Sequence, residues 1–173
     1  MESWWARRRV LVMSAAAVAL LAGALGWLLW PEPEAPPAPR ERQYRAFTAC
    51  LLTDDRGIAG EQARAVWDGM QRASLAHSIQ VQYLAVDGPQ TAANAAAYFN
   101  SLALRQCQVV IAVGEAPGGA LVDGKDRFPG LRYVVVGETA PLDGVTVVPE
   151  TTADRVTSAV ENTVGEMATS GGN

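Results

Sequence analysis

The sequence predicts an α/β fold: a three-layer, doubly wound parallel sheet of about five strands in the order 2-1-3-4-5, preceded by one transmembrane helix. Two observations predict the sheet. Short apolar runs alternate with helical patterns over residues 46–167, which is typical of parallel strands joined by right-handed crossover helices. Continuous runs of valine and isoleucine are typical of strands buried on both faces.

Nine elements follow in order along this domain. Strands are predicted over Ala46–Leu52, Ile79–Val86, Gln108–Val113, Leu131–Val136 and Gly144–Val148. Helices are predicted over Ala59–Ala76, Thr91–Leu104, Gly118–Asp126 and Thr151–Met167. Apolar residues recur every three or four positions in the first, second and last of these helices, which predicts one buried face on each.

A membrane anchor is predicted before the domain. Val10 to Trp30 is a run of 21 uncharged residues, which as a helix spans roughly 31 Å, enough for a bilayer core. Residues 1–9 carry three arginines and are predicted to be a cytoplasmic tail, so the domain is expected outside the cell, on a single-pass cell-membrane protein. A cleaved signal peptide is the alternative, but the run is longer than a signal core.

The remaining segments complete the predicted organisation. Residues 31–45 hold five prolines, all of them within Pro31–Pro39, and are predicted to be a stiff, extended linker. Residues 46–168 form the predicted extracytoplasmic lobe, and 169–173 a disordered tail. Residues 46–173 hold 8 basic and 14 acidic side chains, and this negative charge argues against nucleic-acid partners.

Candidate ligand-binding residues lie where strands end. They are Asp54, Asp55 and Gly57 after the first strand, Gly114 and Glu115 after the third, and Gly137 and Glu138 after the fourth. Open α/β sheets bind ligands at this edge, beside the point where strand order reverses. The glycines permit close backbone approach, and the four carboxylates suit a polyol, amine or cation. Alternatively, each acid only stabilises a helix N-terminus.

Catalytic, metal and cofactor sites are not expected. His77 is the only histidine, and the sequence contains no metal-ligand cluster and no serine in a nucleophile elbow. A receiver-like phosphoacceptor domain shares the strand order, but Gly114 stands where that class needs an aspartate. The protein is therefore predicted not to be an enzyme.

The two cysteines, Cys50 and Cys107, are predicted to be buried free thiols. Cys50 falls late in the first strand and Cys107 just before the third. At roughly 3.3 Å per residue, that difference in level exceeds the separation a disulfide allows.

The segment Leu52–Met70 (LTDDRGIAGEQARAVWDGM) resembles the opening of the basic membrane protein (BMP/Med) family, whose members open with a strand, a Thr-Asp-x-Gly-Gly-Ile-like turn and a helix with Trp-x-Gly. The matching residues are Thr53, Asp54, Gly57, Ile58, Trp67 and Gly69. The resemblance continues at Val109–Leu121 and covers most of residues 46–150. It implies a type I periplasmic-binding-protein-like lobe of an ABC-transporter substrate-binding protein, several of which take up purine nucleosides.

Two departures from that family bear on function. Ala59–Ala63 lacks the aromatic residue that stacks on the base, and Glu115 replaces a second aromatic residue. The domain also has the length of one lobe, whereas the family closes two lobes on its ligand.

The predicted function is a membrane-anchored extracytoplasmic domain that binds or senses a nucleoside-like or other polar solute. Its expected partners are the membrane through residues 10–30, a small polar ligand, and a second lobe, a second copy or a membrane protein. The alternative is a protein-interaction module that has lost ligand binding. A secreted receiver-like or enzymatic domain is the remote alternative.

Overall fold

A computed structural model describes residues 44–137, 141, 143–149 and 151–170. Five strands form one parallel sheet in the order β2-β1-β3-β4-β5, which confirms the predicted fold class and strand order. The strands are β1 (Thr48–Thr53), β2 (Gln80–Ala85), β3 (Val109–Val113), β4 (Arg132–Val136) and β5 (Thr146–Val148). The predicted transmembrane helix lies outside the described residues, and among those residues no helix is long and apolar enough to cross a bilayer.

Four α-helices flank the sheet. They are α1 (Glu61–His77), α2 (Ala92–Leu104), α3 (Glu115–Gly124) and α4 (Ala153–Ser170), with short 3-10 helices at Gly57–Ala59 and Lys125–Arg127. The first turn of α3 comes three residues before the predicted start at Gly118. Gly114, with φ of 99°, turns the chain directly from β3 into the helix. Pro117 is tolerated in that first turn because its N–H would have no partner within the helix.

The last helix continues to Ser170, three residues beyond its predicted end. The Arg132 guanidinium donates hydrogen bonds to the Met167 carbonyl at 2.7 Å and to Ser170 Oγ at 3.2 Å. The first of these bonds adds to the one that Ser170 Oγ donates to the same carbonyl at 3.3 Å, at a helix end where backbone carbonyls lack N–H partners within the helix. Residues 169 and 170 of the predicted tail are therefore helical, and 171–173 lie outside the described residues.

Each face of the sheet has its own core. On the α1/α4 face, alternate strand residues such as Leu51, Ile111 and Val134 pack against the helices. On the α2/α3 face the intervening residues, among them Leu52 and Val110, do the same. The three central strands are therefore buried on both sides, as their continuous apolar sequence predicts.

Helices α1 and α4 are in close contact at Gly69. A Cβ atom built there would lie 2.5 Å from the Thr157 carbonyl oxygen and 3.0 Å from Val160 Cβ. Beside this contact, the buried Thr157 Oγ1 donates a hydrogen bond to the Ala65 carbonyl at 2.9 Å. The glycine of the Trp-x-Gly motif is therefore required by helix packing.

The prediction of free thiols is wrong, because Cys50 and Cys107 form a disulfide with a Cα–Cα distance of 5.9 Å. The predicted separation of the two cysteines requires Cys107 to lie in line with β3. Gln106 instead has a left-handed φ of 63°, and the turn there brings Cys107 into the core of the α2/α3 face beside Cys50. Gln82 Nε2 lies 3.0 Å from Cys50 Sγ and 3.6 Å from Cys107 Sγ, so β2 also contacts the bridge.

Candidate ligand-binding site

The carboxyl edge of the sheet, where the strands finish, collects the predicted site residues. Strand β1 pairs with β3, and β3 pairs with β4, so the connections that leave these three strands are neighbours. Six of the predicted residues lie in or directly after these connections: Asp54, Asp55, Gly57, Gly114, Glu115 and Gly137. The seventh, Glu138, lies outside the described residues.

Asp54 shapes the loop between β1 and α1. Its Oδ1 accepts a hydrogen bond from the Arg56 backbone N–H at 3.1 Å, and its Oδ2 accepts two from the Arg56 guanidinium at 2.8 and 3.1 Å. This carboxylate raises the pKa of Arg56 above its ordinary value, through the hydrogen bonds first and then through its charge. The Arg56 side chain is 71% exposed, so the pair contributes little to stability. Asp54 is therefore committed largely to turn formation.

Gly57 completes the same loop. Its φ of 57° lies in the left-handed region, which most side chains avoid. The residue is buried and begins the 3-10 helix that leads into α1. This turn fixes where the first turn of α1 lies. Asp55 and Glu115, by contrast, have exposed side chains; Asp55 lies in the loop after β1, and Glu115 is the first residue of α3.

A cavity of about 330 Å³ opens at the carboxyl edge between the N-termini of α1 and α4. Its lining residues are Arg56, Glu61, Gln62, Ala65, Thr151, Ala153 and Val156. They offer a guanidinium, a carboxylate, an amide and a hydroxyl beside the apolar side chains of Ala65, Ala153 and Val156. Such a set both donates and accepts hydrogen bonds, and it fits a small polar molecule. Within the described ranges, no three His, Cys, Asp or Glu side chains are grouped to hold a metal ion.

None of the six predicted site residues that the structure describes lines this cavity. The predicted residues follow β1, β3 and β4, whereas the cavity lies on the α1/α4 side and takes only Arg56 from the connection after β1. The right-handedness of crossover connections predicts on which face of the sheet a helix lies only when a parallel strand follows that helix. No described strand follows α4. The apolar stripe of α4, through Val156, Val160 and Val164, is the one sequence signal that could have paired it with α1.

No protein-family model and no curated protein matches the chain. Among solved structures, the chain is similar to a putative lipoprotein (fragment) from Peptoclostridium difficile 630, with 12% identity and a TM-score of 0.59, over 70% of this chain and 98% of that one. The chain shares the fold of this putative lipoprotein.

Two further similarities are lower. An ABC transporter solute-binding protein from Aeropyrum pernix K1 matches at 18% identity and a TM-score of 0.47, over 58% of this chain and 28% of that one. A diflavin flavoprotein from Nostoc sp. matches at 11% identity and a TM-score of 0.38, over 72% and 94%. Neither TM-score is high enough to support an argument. Membership of the basic membrane protein family stays a prediction.

Proposed function

We propose that this protein holds an extracytoplasmic α/β domain on the cell membrane, and that the domain binds a small polar solute in the cavity between α1 and α4. The observation that carries the proposal is the cavity itself. Its volume of about 330 Å³ falls at the lower end of the range of small-molecule sites. It also opens at the edge where open α/β sheets bind ligands.

The chemistry of the lining defines the class of solute. Arg56 and Glu61 bring opposite charges, and Gln62 and Thr151 bring neutral hydrogen-bonding groups. An uncharged polar molecule such as a nucleoside or sugar, or a zwitterion such as an amino acid, matches this mixture. A multiply charged anion does not, because Glu61 would oppose it.

The disulfide supports the extracytoplasmic location. Stable disulfides form in oxidising compartments and are rare in the cytosol. The Cys50–Cys107 bridge therefore agrees with the orientation expected from Arg7–Arg9 before the predicted anchor. The fold shared with a putative lipoprotein is compatible with the same location.

Thermal unfolding of the full-length protein with separate panels of nucleosides, sugars and amino acids tests the proposal. A ligand at about 100 times its Kd adds about 2.7 kcal/mol of stability, which raises Tm by roughly 8 °C for a domain of this size. The variant Gln62→Leu should lose that shift. Gln71→Leu, on the exposed side of the same helix, is the matched control and should keep it. No shift with any panel, or the same shift in both variants, would contradict the proposal.

A second candidate function, pairing with another copy of the chain through β2, is favoured by one observation. Strand β2 is the outer strand next to β1, its six residues carry no charge, and Tyr83 is 46% exposed. An uncharged edge strand can add a further strand. Sedimentation would then show a dimer that Tyr83→Arg dissociates, because the two arginines would oppose each other. Tyr44→Arg, at an equally exposed tyrosine outside β2, is the control. A monomer at all concentrations would eliminate this candidate.

A further inference from the structure

Charged side chains divide unequally between the two ends of the described sheet. The amino edge is the end of the sheet where the strands begin. It takes in the segments leading into β1–β4, residues 143–145 before β5, the first residue of β4, and the last six residues of each helix, with Lys125–Arg127 counted as the end of α3. Six basic residues lie there: Arg45, Arg72, Arg105, Lys125, Arg127 and Arg132. Four acidic residues accompany them: Asp123, Asp126, Asp143 and Glu166.

The carboxyl edge has the opposite balance. Its strand-to-helix connections and the first six residues of each helix are counted in the same way. Six acidic residues lie there: Asp54, Asp55, Glu61, Asp87, Glu115 and Asp154. Three basic residues accompany them: Arg56, Arg64 and Arg155. The described part of the domain is therefore electrically polarised along its strands, although its total charge is negative.

Exposed apolar side chains are also concentrated at the amino edge. Tyr44 is 45% exposed, Leu75 in the last turn of α1 is 65% exposed, and Leu104 at the end of α2 is 76% exposed. Single exposed leucines are ordinary on protein surfaces. Leucine and tyrosine interspersed with arginine, however, are the composition of surfaces that lie at a membrane interface.

The polypeptide enters the domain at this same edge. The Arg45 N–H donates a hydrogen bond to the Ser78 carbonyl at 2.6 Å, and the Phe47 N–H donates to the Arg45 carbonyl at 2.7 Å. These bonds hold the entering segment beside the connection between α1 and β2. The predicted linker, residues 31–45, and the predicted anchor, residues 10–30, both precede this point.

We infer that the amino edge lies on the membrane and binds the anionic headgroups of its phospholipids through Arg45, Arg105 and Arg127. All three side chains are exposed, and each arginine near an anionic surface contributes about a fivefold preference for it. The leucines enter the headgroup layer, and the acidic carboxyl edge is repelled from it. The cavity between α1 and α4 consequently faces away from the membrane. The inference rests on the proposed anchor but not on the proposed ligand.

Fluorescence quenching in nanodiscs tests this orientation with the full-length chain. A fluorophore is attached at Ala76→Cys, in the last turn of α1, or at Ala59→Cys, at the carboxyl edge; both alanines are exposed. Headgroup-spin-labelled lipid is the quencher. In nanodiscs that contain phosphatidylglycerol, the fluorophore at position 76 should be quenched and the one at position 59 should not. High salt or pure phosphatidylcholine should remove the difference, because both weaken the charge attraction.

A matched pair of double variants distinguishes the effect of charge at the amino edge from the effect of losing positive charge anywhere on the domain. Arg45→Gln with Arg105→Gln should lower the docked-to-undocked ratio about 25-fold, from two fivefold contributions. Arg64→Gln with Arg155→Gln removes the same charge from the carboxyl edge and should not lower it. The orientation alone is overturned by any one of three results: equal quenching at both labels, equal quenching in both lipids, or equal effects of the two double variants. A chain that does not stay with the nanodisc overturns the anchor and the orientation together.

Discussion

Reduction of the Cys50–Cys107 disulfide should lower the free energy of unfolding by about 4 kcal/mol. The bridge joins residues 57 positions apart. In the chain-entropy description, closing a loop of that length in the unfolded chain removes enough conformational freedom to stabilise the native state by about 4 kcal/mol. This is a large share of the 5–15 kcal/mol that is typical of a whole domain.

The cleanest comparison is between oxidised and reduced wild-type protein. Both cysteines are buried, at 0% and 3% exposure, so replacing them with alanine would also leave cavities in the core. Oxidised and reduced wild-type chains differ only in the bond. In urea, the oxidised protein should have a higher midpoint and a smaller m-value, because its cross-linked unfolded state exposes less surface.

Alkylation followed by mass spectrometry checks the premise. Unfolded without reductant, the oxidised chain should take up no alkylating groups, and after reduction it should take up two. Two groups before reduction would show that the bridge is absent. If the bridge is present but reduction changes the unfolding free energy by less than about 1 kcal/mol, the loop-entropy reasoning of the chain model is refuted for this protein.

Three further changes probe packing and titration in the core. Gly69→Ala should lower the free energy of unfolding in urea by about 1–2 kcal/mol, because overpacking against the Thr157 carbonyl outweighs the helical preference of alanine. The control is Gly118→Ala, where the nearest neighbour of the added Cβ would lie at 3.6 Å, and this variant should be neutral or stabilising. Thr157→Val should cost about 1 kcal/mol through its lost hydrogen bond to Ala65, and an unchanged midpoint would count against that bond. The pKa of Tyr133 is raised above its ordinary value of 10.0, by burial first and then by the charge of Asp126. The stability that this shift contributes is complete below pH 10.0 and is lost as pH rises through the folded-state pKa. The variant Tyr133→Phe should lose less stability at alkaline pH than the wild type, and identical pH profiles of the two proteins would refute this prediction.

Local periodicity was sufficient to predict the fold. The apolar runs that became β1, β3 and β4 are buried on both faces, and the alternation of strands with helices leaves few topologies once crossovers are right-handed. Element ends were predicted less well, because they depend on contacts between distant residues. The hydrogen bonds from Arg132 to the end of α4 are an example that no local pattern contains.

The disulfide could not be predicted either, because it depends on a contact between residues distant in the sequence. The predicted distance between the cysteines holds only if the chain runs straight into β3. One left-handed residue, Gln106, turns the chain just before Cys107 and shortens that distance. Glycine and asparagine often adopt left-handed backbone conformations and so predict such a turn, whereas glutamine does not. Cysteine spacing along the chain therefore could not decide between a bridge and two thiols, whereas the expected oxidising compartment pointed to the bridge.

The resemblance to a family of substrate-binding proteins identified residues that build the fold rather than residues that line the cavity. Asp54 closes a turn onto Arg56, Gly57 supplies a left-handed backbone, and Gly69 permits the close contact of α1 with α4. The polar cavity residues from the same segment, Arg56 and Gln62 among them, lie between the matching positions. A motif whose members are needed for turns and helix packing can persist while the ligand changes. The resemblance is therefore better evidence for the architecture of this domain than for a nucleoside as its ligand.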